Sequence, residues 1–125
     1  MADARALLSA HADDDCFDIT TIGRRSGRAH RIEIWFGVVD GEAYLISGNG
    51  PTADWFRNAL ASGTATIHLA GEDLPVVASE VTDAELRRQV GGLMGEKYPW
   101  DGDPSIGLTR HAWCYEVPLL RLTPT

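Results

Sequence analysis

The segment "RIEIWFGVVDGEAYLIS", residues 31–47, restricts the fold of this chain more than any other part of the sequence. Its first half alternates with a period of two, which is typical of a strand that is buried on one face. Asp40-Gly41 then lies between apolar residues and favours a type I′ hairpin turn, in which both residues have positive φ. An antiparallel sheet is therefore predicted, with Ile32, Ile34 and Phe36 on one face and Arg31, Glu33 and Trp35 on the other.

Short strands recur along the rest of the chain. Besides the two strands of this hairpin, strands are predicted over residues 16–22, 64–70, 74–81 and 111–122. Six short strands with inserted helices predict a mainly β protein of the α+β class, built as a small antiparallel barrel, because closure removes exposed sheet edges. We expect one domain over residues 1–125, since a chain of this length can bury a core of its own.

Helices are predicted in three places. The first covers residues 4–12, within an N-terminal helical extension of residues 1–15. Asp54 is expected to cap a second helix that runs from Trp55 to Ser62 and ends at Gly63. A capping-box pattern at residues 82–85 begins a third helix that reaches about Lys97. Glycine lowers helix propensity, so the end of this helix is expected to be frayed or distorted by Gly91, Gly92 and Gly95.

The chain is acidic, with a formal net charge of −7. Nucleic acids and anionic membrane surfaces are therefore disfavoured as partners, since both are bound by neutralising many phosphates. No apolar run is long enough for a signal peptide or a membrane span, so we expect a cytoplasmic protein. Cys16 and Cys114 lie in apolar, strand-like runs, where reduced and buried thiols are expected, although a bridge between them stays open.

Positive charge is concentrated in "TTIGRRSGRAHR", residues 20–31. Gly23 and Gly27 allow backbone N–H groups to converge in a concave nest, and Ser26 adds a hydroxyl donor. Arginine side chains bind phosphate or carboxylate oxygens through paired hydrogen bonds. Two interpretations fit this pattern, an anion-binding turn and a solvated hairpin turn that its charges keep soluble. The arginines concerned are Arg24, Arg25, Arg28 and Arg31.

No catalytic side chain and no metal site is predicted. Ser26 has no general base that is visible in the sequence around it. If the protein is an enzyme, its reactive atoms are expected to belong to a bound cofactor. The histidines are scattered, without the spacing that brings two zinc ligands to one helix face: His11, His30, His68 and His111.

Three segments resemble one known family when they are taken together and in order: "TTIGRRSGRAHRIEIWF", "ISGNG" and "DWFRNALASGTATI". In these segments the chain is similar to the deazaflavin-dependent nitroreductase and quinone reductase family of actinobacteria. Members of that family use coenzyme F-420 on a split β-barrel of the FMN-binding, pyridoxamine-phosphate-oxidase-like type. The resemblance therefore implies this fold, this cofactor, and hydride transfer to a small-molecule acceptor such as a quinone, a nitroaromatic or a similar planar compound.

The resemblance also implies which residues bind the cofactor. Arg24, Arg25, Ser26 and Gly27 would hold the phosphate that links the ribityl chain of the coenzyme to its tail, and Arg28 and Arg31 would meet the tail carboxylates. The other implied residues are Gly48, Asn49 and Gly50, which would let the backbone approach the ring, and Trp55 and Asn58, which share one face of the second helix. For Trp55, a place in the core is the alternative.

Tyr98, Trp100 and Tyr115 are candidates for the acceptor pocket, because flat aromatic rings stack on a quinone or a nitroaromatic. A core position is the alternative for Tyr115. The split barrel also serves flavoproteins, so FMN is the alternative cofactor, and a non-catalytic cofactor carrier is a third interpretation. A monomer or a homodimer is expected. Unlike family members with nitroreductase activity, the chain has no lysine in its "GNGPTAD" loop.

Overall fold

A computed structural model describes residues 3–48 and 50–125. One antiparallel sheet contains seven strands, and a small second sheet pairs two more. The strands are β1 (Phe17–Ile22), β2 (Ala29–Ile34), β3 (Gly37–Val39), β4 (Glu42–Ile46), β5 (Thr64–Leu69), β6 (Glu72–Glu80), β7 (Gly102–Asp103), β8 (Leu108–Thr109) and β9 (Leu119–Pro124). The helices are α1 (Ala4–Ala10), α2 (Asp54–Ser62), α3 (Ala84–Lys97) and α4 (Arg110–Tyr115), with short 3-10 turns at Gly50–Thr52 and Pro104–Ile106.

The order of the large sheet, β2-β1-β5-β6-β9-β4-β3, explains its curvature. Strands β2 and β3 form its two edges, yet Trp35 and Phe36 alone separate them in the chain. Successive Cα atoms are about 3.8 Å apart, so this connection spans little more than about 11 Å and must draw the two edges together. The sheet therefore curls into an open barrel, which confirms the mainly β architecture with inserted helices.

Contacts to Phe36 hold this connection in place. Its side chain is fully buried and its ring stacks on that of Phe17, with ring centroids 4.2 Å apart. The Lys97 ammonium donates to the Phe36 carbonyl at 2.8 Å and lies 3.8 Å from the centre of the Phe36 ring. Burial lowers the pKa of Lys97, while the nearby carboxylates of Asp13, Asp14 and Asp15 oppose that shift. The end of α3 is thus attached directly to the connection between the two sheet edges.

The period-two pattern of the first hairpin is confirmed. Ile32 and Ile34 are half-buried and Phe36 is buried, whereas the polar positions between them are exposed. Asp40 and Gly41 have φ values of 53° and 75°, as a type I′ turn requires. The prediction that the residues before the Asp40-Gly41 turn, 31–39, form one continuous strand is wrong. The chain bends after Ile34, so that two strands, β2 and β3, form in this region.

The predicted strand over residues 111–122 is also wrong in its first half, which forms α4. Thr109 caps this helix, since its hydroxyl accepts a hydrogen bond from the Ala112 amide at 3.0 Å. Trp113 and Cys114 face inward, and β9 begins only at Leu119. A short apolar run cannot be assigned to a buried strand or a buried helix by periodicity alone, which accounts for the error.

The glycines of α3 do not fray or distort the helix, which continues to Lys97. They instead permit close packing against α4: a Cβ on Gly91 would overlap the Cys114 carbonyl, and one on Gly95 would lie 3.1 Å from the Cys114 sulfur. Arg110 in turn donates to the carbonyls of Gly95, Tyr98 and Trp100 at the end of α3. The lower helix propensity is thus offset by packing between the two helices.

Arg87 of α3 has the corresponding role for α4. Its guanidinium donates to the carbonyls of Trp113, Cys114 and Val117, which lie at the end of that helix. Burial lowers the pKa of Arg87, and these carbonyls occupy the donors of its side chain. Helix ends leave carbonyl groups without partners inside the helix, so the two arginines satisfy groups that would otherwise be buried and unpaired.

Other differences concern element boundaries. Helix α1 ends at Ala10 rather than at residue 12. Helix α2 begins at Asp54, which was expected to be its cap, and Asp83 rather than Thr82 caps α3 by accepting from the Glu85 and Leu86 amides. The β5–β6 turn is at Ala70-Gly71, one residue earlier than expected. Both cysteines are free thiols; Cys114 lies in a helix, not in a strand.

Candidate functional site

A cleft of about 480 Å³ opens between the turn that joins β1 to β2 and the start of α2. Five of the residues that line it are sequence-predicted cofactor ligands: Arg24, Arg25, Ser26, Trp55 and Asn58. We refer to this space as the arginine cleft. Its other lining residues are Thr21, Gly23, His30, Ile32, Ala53 and Asp54.

The β1–β2 turn is closed by its own hydrogen bonds. The Gly23 amide donates to the Arg28 carbonyl at 2.8 Å, and the Gly27 amide donates to the Gly23 carbonyl at 2.9 Å. The Ser26 hydroxyl accepts from the Arg28 amide at 3.2 Å. Gly27 has a φ of 70°, a conformation that favours glycine. The amides of Gly23, Gly27 and Arg28 are therefore used within the turn, and the backbone nest that the sequence predicts would have to be formed by the other amides of the turn.

Asn58 joins α2 to this turn. Its side chain is 5% exposed, and its Oδ1 accepts from the Arg24 amide at 3.1 Å and from Nη1 of Arg24 at 2.8 Å. One buried amide oxygen therefore holds both the backbone and the side chain of Arg24. The guanidinium is ordered at the base of the cleft before any ligand arrives, which reduces the entropy cost of binding one.

Asp54 places a carboxylate at the mouth of the same cleft. Its Oδ1 is 3.3 Å from both Nη1 and Nη2 of Arg24. The Asp54 side chain is 86% exposed, whereas that of Arg24 is 19% exposed. A surface pair of this kind contributes little to stability because water screens it. The negative charge of Asp54 nevertheless acts on any ion that enters the cleft.

The remaining arginines of the turn do not line the cleft. Arg31 donates from Nε to Oδ2 of Asp18 at 2.7 Å, on the exposed face of the sheet, and Arg28 is exposed beyond the turn. His30, which was not among the sequence-predicted ligands, does line it. His30 pairs with Thr21, so it lies at the end of the β1–β2 ladder that is next to the turn. This position could be inferred from the hairpin once the turn had been located.

Four aromatic side chains from distant segments form a second feature, which we refer to as the aromatic cluster. Trp35 stacks on Tyr98 with ring centroids 4.3 Å apart and an interplanar angle of 4°. Trp113 packs edge-on against Trp100, Trp35 and Tyr98. The structure thus brings Tyr98 and Trp100 together, and it adds Trp35 and Trp113, which sequence reasoning missed.

Tyr115 is not part of this cluster. Its ring is 38% exposed and lies beside His111, with ring centroids 5.1 Å apart, on the outer side of α4. Residues that are two positions apart in a helix point in different directions, so Trp113 and Tyr115 cannot share one face of α4. The strand predicted for this segment would have put them on the same side, and the helix explains the difference.

A depression of about 290 Å³ lies next to the aromatic cluster. Strand β2 passes both spaces, since Ile32 lines the arginine cleft and Ile34 lines the depression. Ile46 of β4 lines the depression from the other side, although the sheet order separates β4 from β2. The depression therefore marks the opening of the barrel, and it lies next to the cleft in order along β2, as a separate cavity. Its other lining residues are Glu33, Trp35, Met94 and Trp113.

The glycine segment after β4 lies between these two spaces. Gly48 is beside the aromatic cluster, since a Cβ there would be 3.5 Å from Cδ1 of Trp113. Gly50 has a φ of 78°, and its carbonyl accepts from the Ser47 hydroxyl at 2.6 Å. Asn49, the third sequence-predicted ligand of this segment, lies outside the described residues. The segment leads directly into α2 and so connects the cluster with the cleft.

Trp55 is half-buried at the edge of the arginine cleft. Its ring meets that of Phe56 edge-on, with centroids 5.9 Å apart, and it packs against the main core. The side chain therefore supports the wall of the cleft and also contributes to the core, so the two interpretations offered by the sequence are compatible with each other.

The Tyr98 hydroxyl is engaged within the protein. It donates to the Asp15 carbonyl at 2.6 Å and accepts from the Phe36 amide at 3.1 Å. Burial raises the pKa of Tyr98, and the hydrogen bond with the Phe36 backbone opposes that shift. The hydroxyl thus both donates and accepts within the protein, and the ring is buried and stacked on Trp35, so Tyr98 supports the aromatic cluster from behind and does not line the depression described above.

Replacing Tyr98 by phenylalanine is expected to lower the free energy of unfolding by about 1 kcal/mol near neutral pH, because the Phe36 amide loses its acceptor. The raised pKa means that the unfolded chain releases this proton at a lower pH than the folded protein does. The hydroxyl therefore contributes fully below about pH 10, and its contribution is lost as the pH rises further. Denaturant unfolding of both proteins across this range checks the sign; a difference that grows with pH would contradict it.

Two other kinds of feature bear on function. Within residues 3–48 and 50–125, no group of three or more His, Cys, Asp and Glu side chains is arranged to hold a metal ion. Of the helices in the described part of the chain, none has the length and apolar character needed to cross a membrane.

Among solved structures, the chain is similar to an F420-H2-dependent reductase, at 21% sequence identity and a TM-score of 0.66, covering 87% of this chain and 94% of that one. A Listeria innocua protein assigned as a pyridoxamine 5′-phosphate oxidase gives 12% identity and a TM-score of 0.66, with coverage of 95% and 88%. The heme storage protein HutZ from Vibrio cholerae gives 18% identity and a TM-score of 0.69, with coverage of 99% and 92%. A search of the curated proteins finds no significant match.

These similarities identify the fold as an FMN-binding-like split β-barrel, of the pyridoxamine-phosphate-oxidase-like type, and confirm the expected fold class. At such identities they establish the fold alone. The sequence itself matches the model of a family described as uncharacterized proteins conserved in bacteria, DUF2255, over residues 8–111. That match covers most of the chain, and the protein therefore belongs to the DUF2255 family.

Proposed function

We propose that this protein is an oxidoreductase that binds reduced coenzyme F-420 and uses it to reduce a quinone, a nitroaromatic or a similar planar acceptor. The observation that carries this proposal is the arginine cleft, in which Asn58 holds Arg24 beside Arg25 and Ser26. The fold, shared with an F420-H2-dependent reductase and a pyridoxamine 5′-phosphate oxidase-like protein, supports a flavin-like cofactor in general.

The donors of the arginine cleft match the chemistry of a phosphate group. Guanidinium groups present paired N–H donors in a plane, and the hydroxyl of Ser26 adds a donor at the tip of the turn. Arg24 is kept in position by Asn58, while Arg25 is exposed at the rim. A phosphate bound here would therefore contact one ordered and one adaptable cation, an arrangement that suits a charged linker in the middle of a long cofactor.

The aromatic cluster has the chemistry for the flat parts of the reactants. The depression beside it follows the cleft along β2, so a ligand that is held by its phosphate at Arg24 and lies along this strand would bring its ring near Trp35 and Trp113. Bound deazaflavin would supply the hydride. The protein's own tasks are to bind the phosphate, orient the rings by stacking and exclude water from the space between them. We assign no proton-transfer role to Tyr98, because its hydroxyl is fully engaged.

Titration of the purified protein with F-420 and with FMN tests the proposal. We expect F-420 to bind more tightly than FMN. Binding is expected to quench tryptophan fluorescence, because Trp35 and Trp113 line the proposed ring site. Addition of menadione or a nitroaromatic to the reduced complex is expected to oxidise the cofactor. Preferential binding of FMN would favour the flavoprotein alternative, and tight F-420 binding without turnover of any acceptor would favour a carrier. Failure of both cofactors to bind would contradict the proposed function.

A further inference from the structure

We propose that Asp54 lowers the affinity of the arginine cleft for doubly charged phosphomonoesters relative to singly charged phosphodiesters. This inference rests on the proposed function, because it concerns how the same cleft recognises the phosphate of its ligand. The geometry behind it is the position of the Asp54 carboxylate at the mouth of the cleft, 3.3 Å from both terminal nitrogens of Arg24.

The charges that line the cleft are few. Arg24 and Arg25 are cationic, Asp54 is anionic, and His30 adds a positive charge only when protonated. Leaving His30 aside, two guanidinium groups and one carboxylate therefore face a ligand in the cleft. Each negative charge on a bound phosphate is attracted by the arginines and repelled by Asp54, so a second charge adds a second unfavourable interaction with that carboxylate.

The backbone position of Asp54 is fixed by the fold. Asp54 is the first residue of α2, and the Asn58 side chain ties that helix to the turn. A carboxylate in the first turn of a helix is also favoured by the helix dipole. From this position the exposed Asp54 carboxylate reaches Arg24, and an incoming phosphate must share that arginine with it.

The number of charges on a phosphate group determines how strongly Asp54 disfavours it. A phosphomonoester has a second pKa near about 6 and so carries close to two charges at pH 7, whereas a phosphodiester carries one. One additional charge pair at a separation of about 6 Å, in the high dielectric of an open cleft, changes affinity by a factor of roughly 3 to 10. Asp54 is therefore expected to penalise FMN, which ends in a phosphomonoester, relative to a cofactor whose phosphate is an internal diester.

The matched probes for this effect are FMN and its monomethyl phosphate ester, which share ring and chain and differ by one charge. Their binding is measured directly through flavin fluorescence, together with a separate titration of F-420. Asp54→Asn is expected to raise the affinity for both probes, because each is relieved of repulsion by the carboxylate. The ratio of FMN affinity to ester affinity is expected to rise roughly 3- to 10-fold, because FMN loses two repulsive charge pairs and the ester loses one.

Three controls make the result specific. Asp54→Glu keeps the charge and is expected to leave the ratio of the two affinities close to its native value. Glu72→Gln removes one charge at the β5–β6 hairpin, which lies at the end of β5 away from the arginine cleft, and is expected to leave the ratio unchanged. Higher salt is expected to reduce the change in this ratio that Asp54→Asn causes. Thermal unfolding of each variant verifies that the fold is intact.

The outcomes separate this inference from the proposed function. An equal loss of affinity for both probes in Asp54→Asn would mean that Asp54 only positions Arg24, and an unchanged ratio would mean that its charge is not sensed; either result would overturn the selectivity. Binding of the flavin probes without any binding of F-420 would contradict the proposed cofactor but would still test Asp54. Failure of all three ligands to bind would overturn both proposals.

Discussion

Replacing Gly91 by alanine is expected to lower the free energy of unfolding by about 1–3 kcal/mol, the range found when a methyl group is forced into a packed site. The added Cβ would overlap the Cys114 carbonyl and would lie 2.8 Å from the Tyr115 ring, so α4 would have to move away from α3. Urea denaturation of the native and variant proteins measures the change. Because Trp113 is part of α4, the near-ultraviolet signal of the aromatic cluster is expected to change as well.

Gly92→Ala is the matched control for this prediction. The two residues are adjacent in one helix, but a Cβ on Gly92 would have only the Tyr115 hydroxyl nearby, at 3.9 Å. Alanine has the higher helix propensity, so this variant is expected to be more stable than the native protein by about 0.5–1 kcal/mol. Destabilisation of similar size in both variants would contradict the idea that close approach of the two helices is what requires Gly91.

Replacing both Arg24 and Ser26 by alanine is expected to weaken F-420 binding by about 1–3 kcal/mol for each charge-assisted hydrogen bond that is removed, which is roughly 5- to 150-fold. Arg24 is the more important of the two, because Asn58 holds its guanidinium in place before the ligand binds. Isothermal titration with each variant measures the decrease in affinity. The single variants Arg24→Ala and Ser26→Ala divide it between the guanidinium and the hydroxyl.

Arg31→Ala removes the same charge from a neighbouring strand position and is the control. Arg31 is engaged with Asp18 and does not line the arginine cleft, so this variant is expected to bind F-420 with nearly native affinity. Equal decreases in affinity in Arg24→Ala and Arg31→Ala would indicate a general electrostatic effect of the basic turn. Such a result would contradict specific recognition of a phosphate at Arg24.

The sequence alone predicts much of the sheet. Alternation over residues 31–36 and the Asp40-Gly41 turn identify the first hairpin because both are local signals, set by side-chain periodicity and by backbone conformation. Part of the arginine cleft could also be predicted, since Arg24, Arg25 and Ser26 are close in the chain, while Asn58 was named through the family resemblance. The local pattern and the resemblance together thus located residues that line one cleft.

The aromatic cluster could not be found in the same way. Trp35 and Trp113 meet only because the sheet closes and α4 packs on α3, and neither event leaves a periodic signal in the sequence. The glycines of α3 illustrate the same limit, because propensity predicts distortion at Gly91 while tertiary contact with Cys114 makes a small residue necessary there. Asp54 was interpreted as a helix cap, and its pairing with Arg24 depends on the approach of the turn to α2.

The connection between β2 and β3 has a thermodynamic consequence. Phe36 is bonded through its amide to Tyr98 and through its carbonyl to Lys97, while its neighbour Trp35 forms a wall of the depression. A ligand that packs on Trp35 would therefore contact the connection that keeps the two sheet edges together. If such a ligand binds only while these bonds are intact, its binding free energy adds to the stability of this connection, so we expect occupancy of the depression to protect the backbone here against local opening.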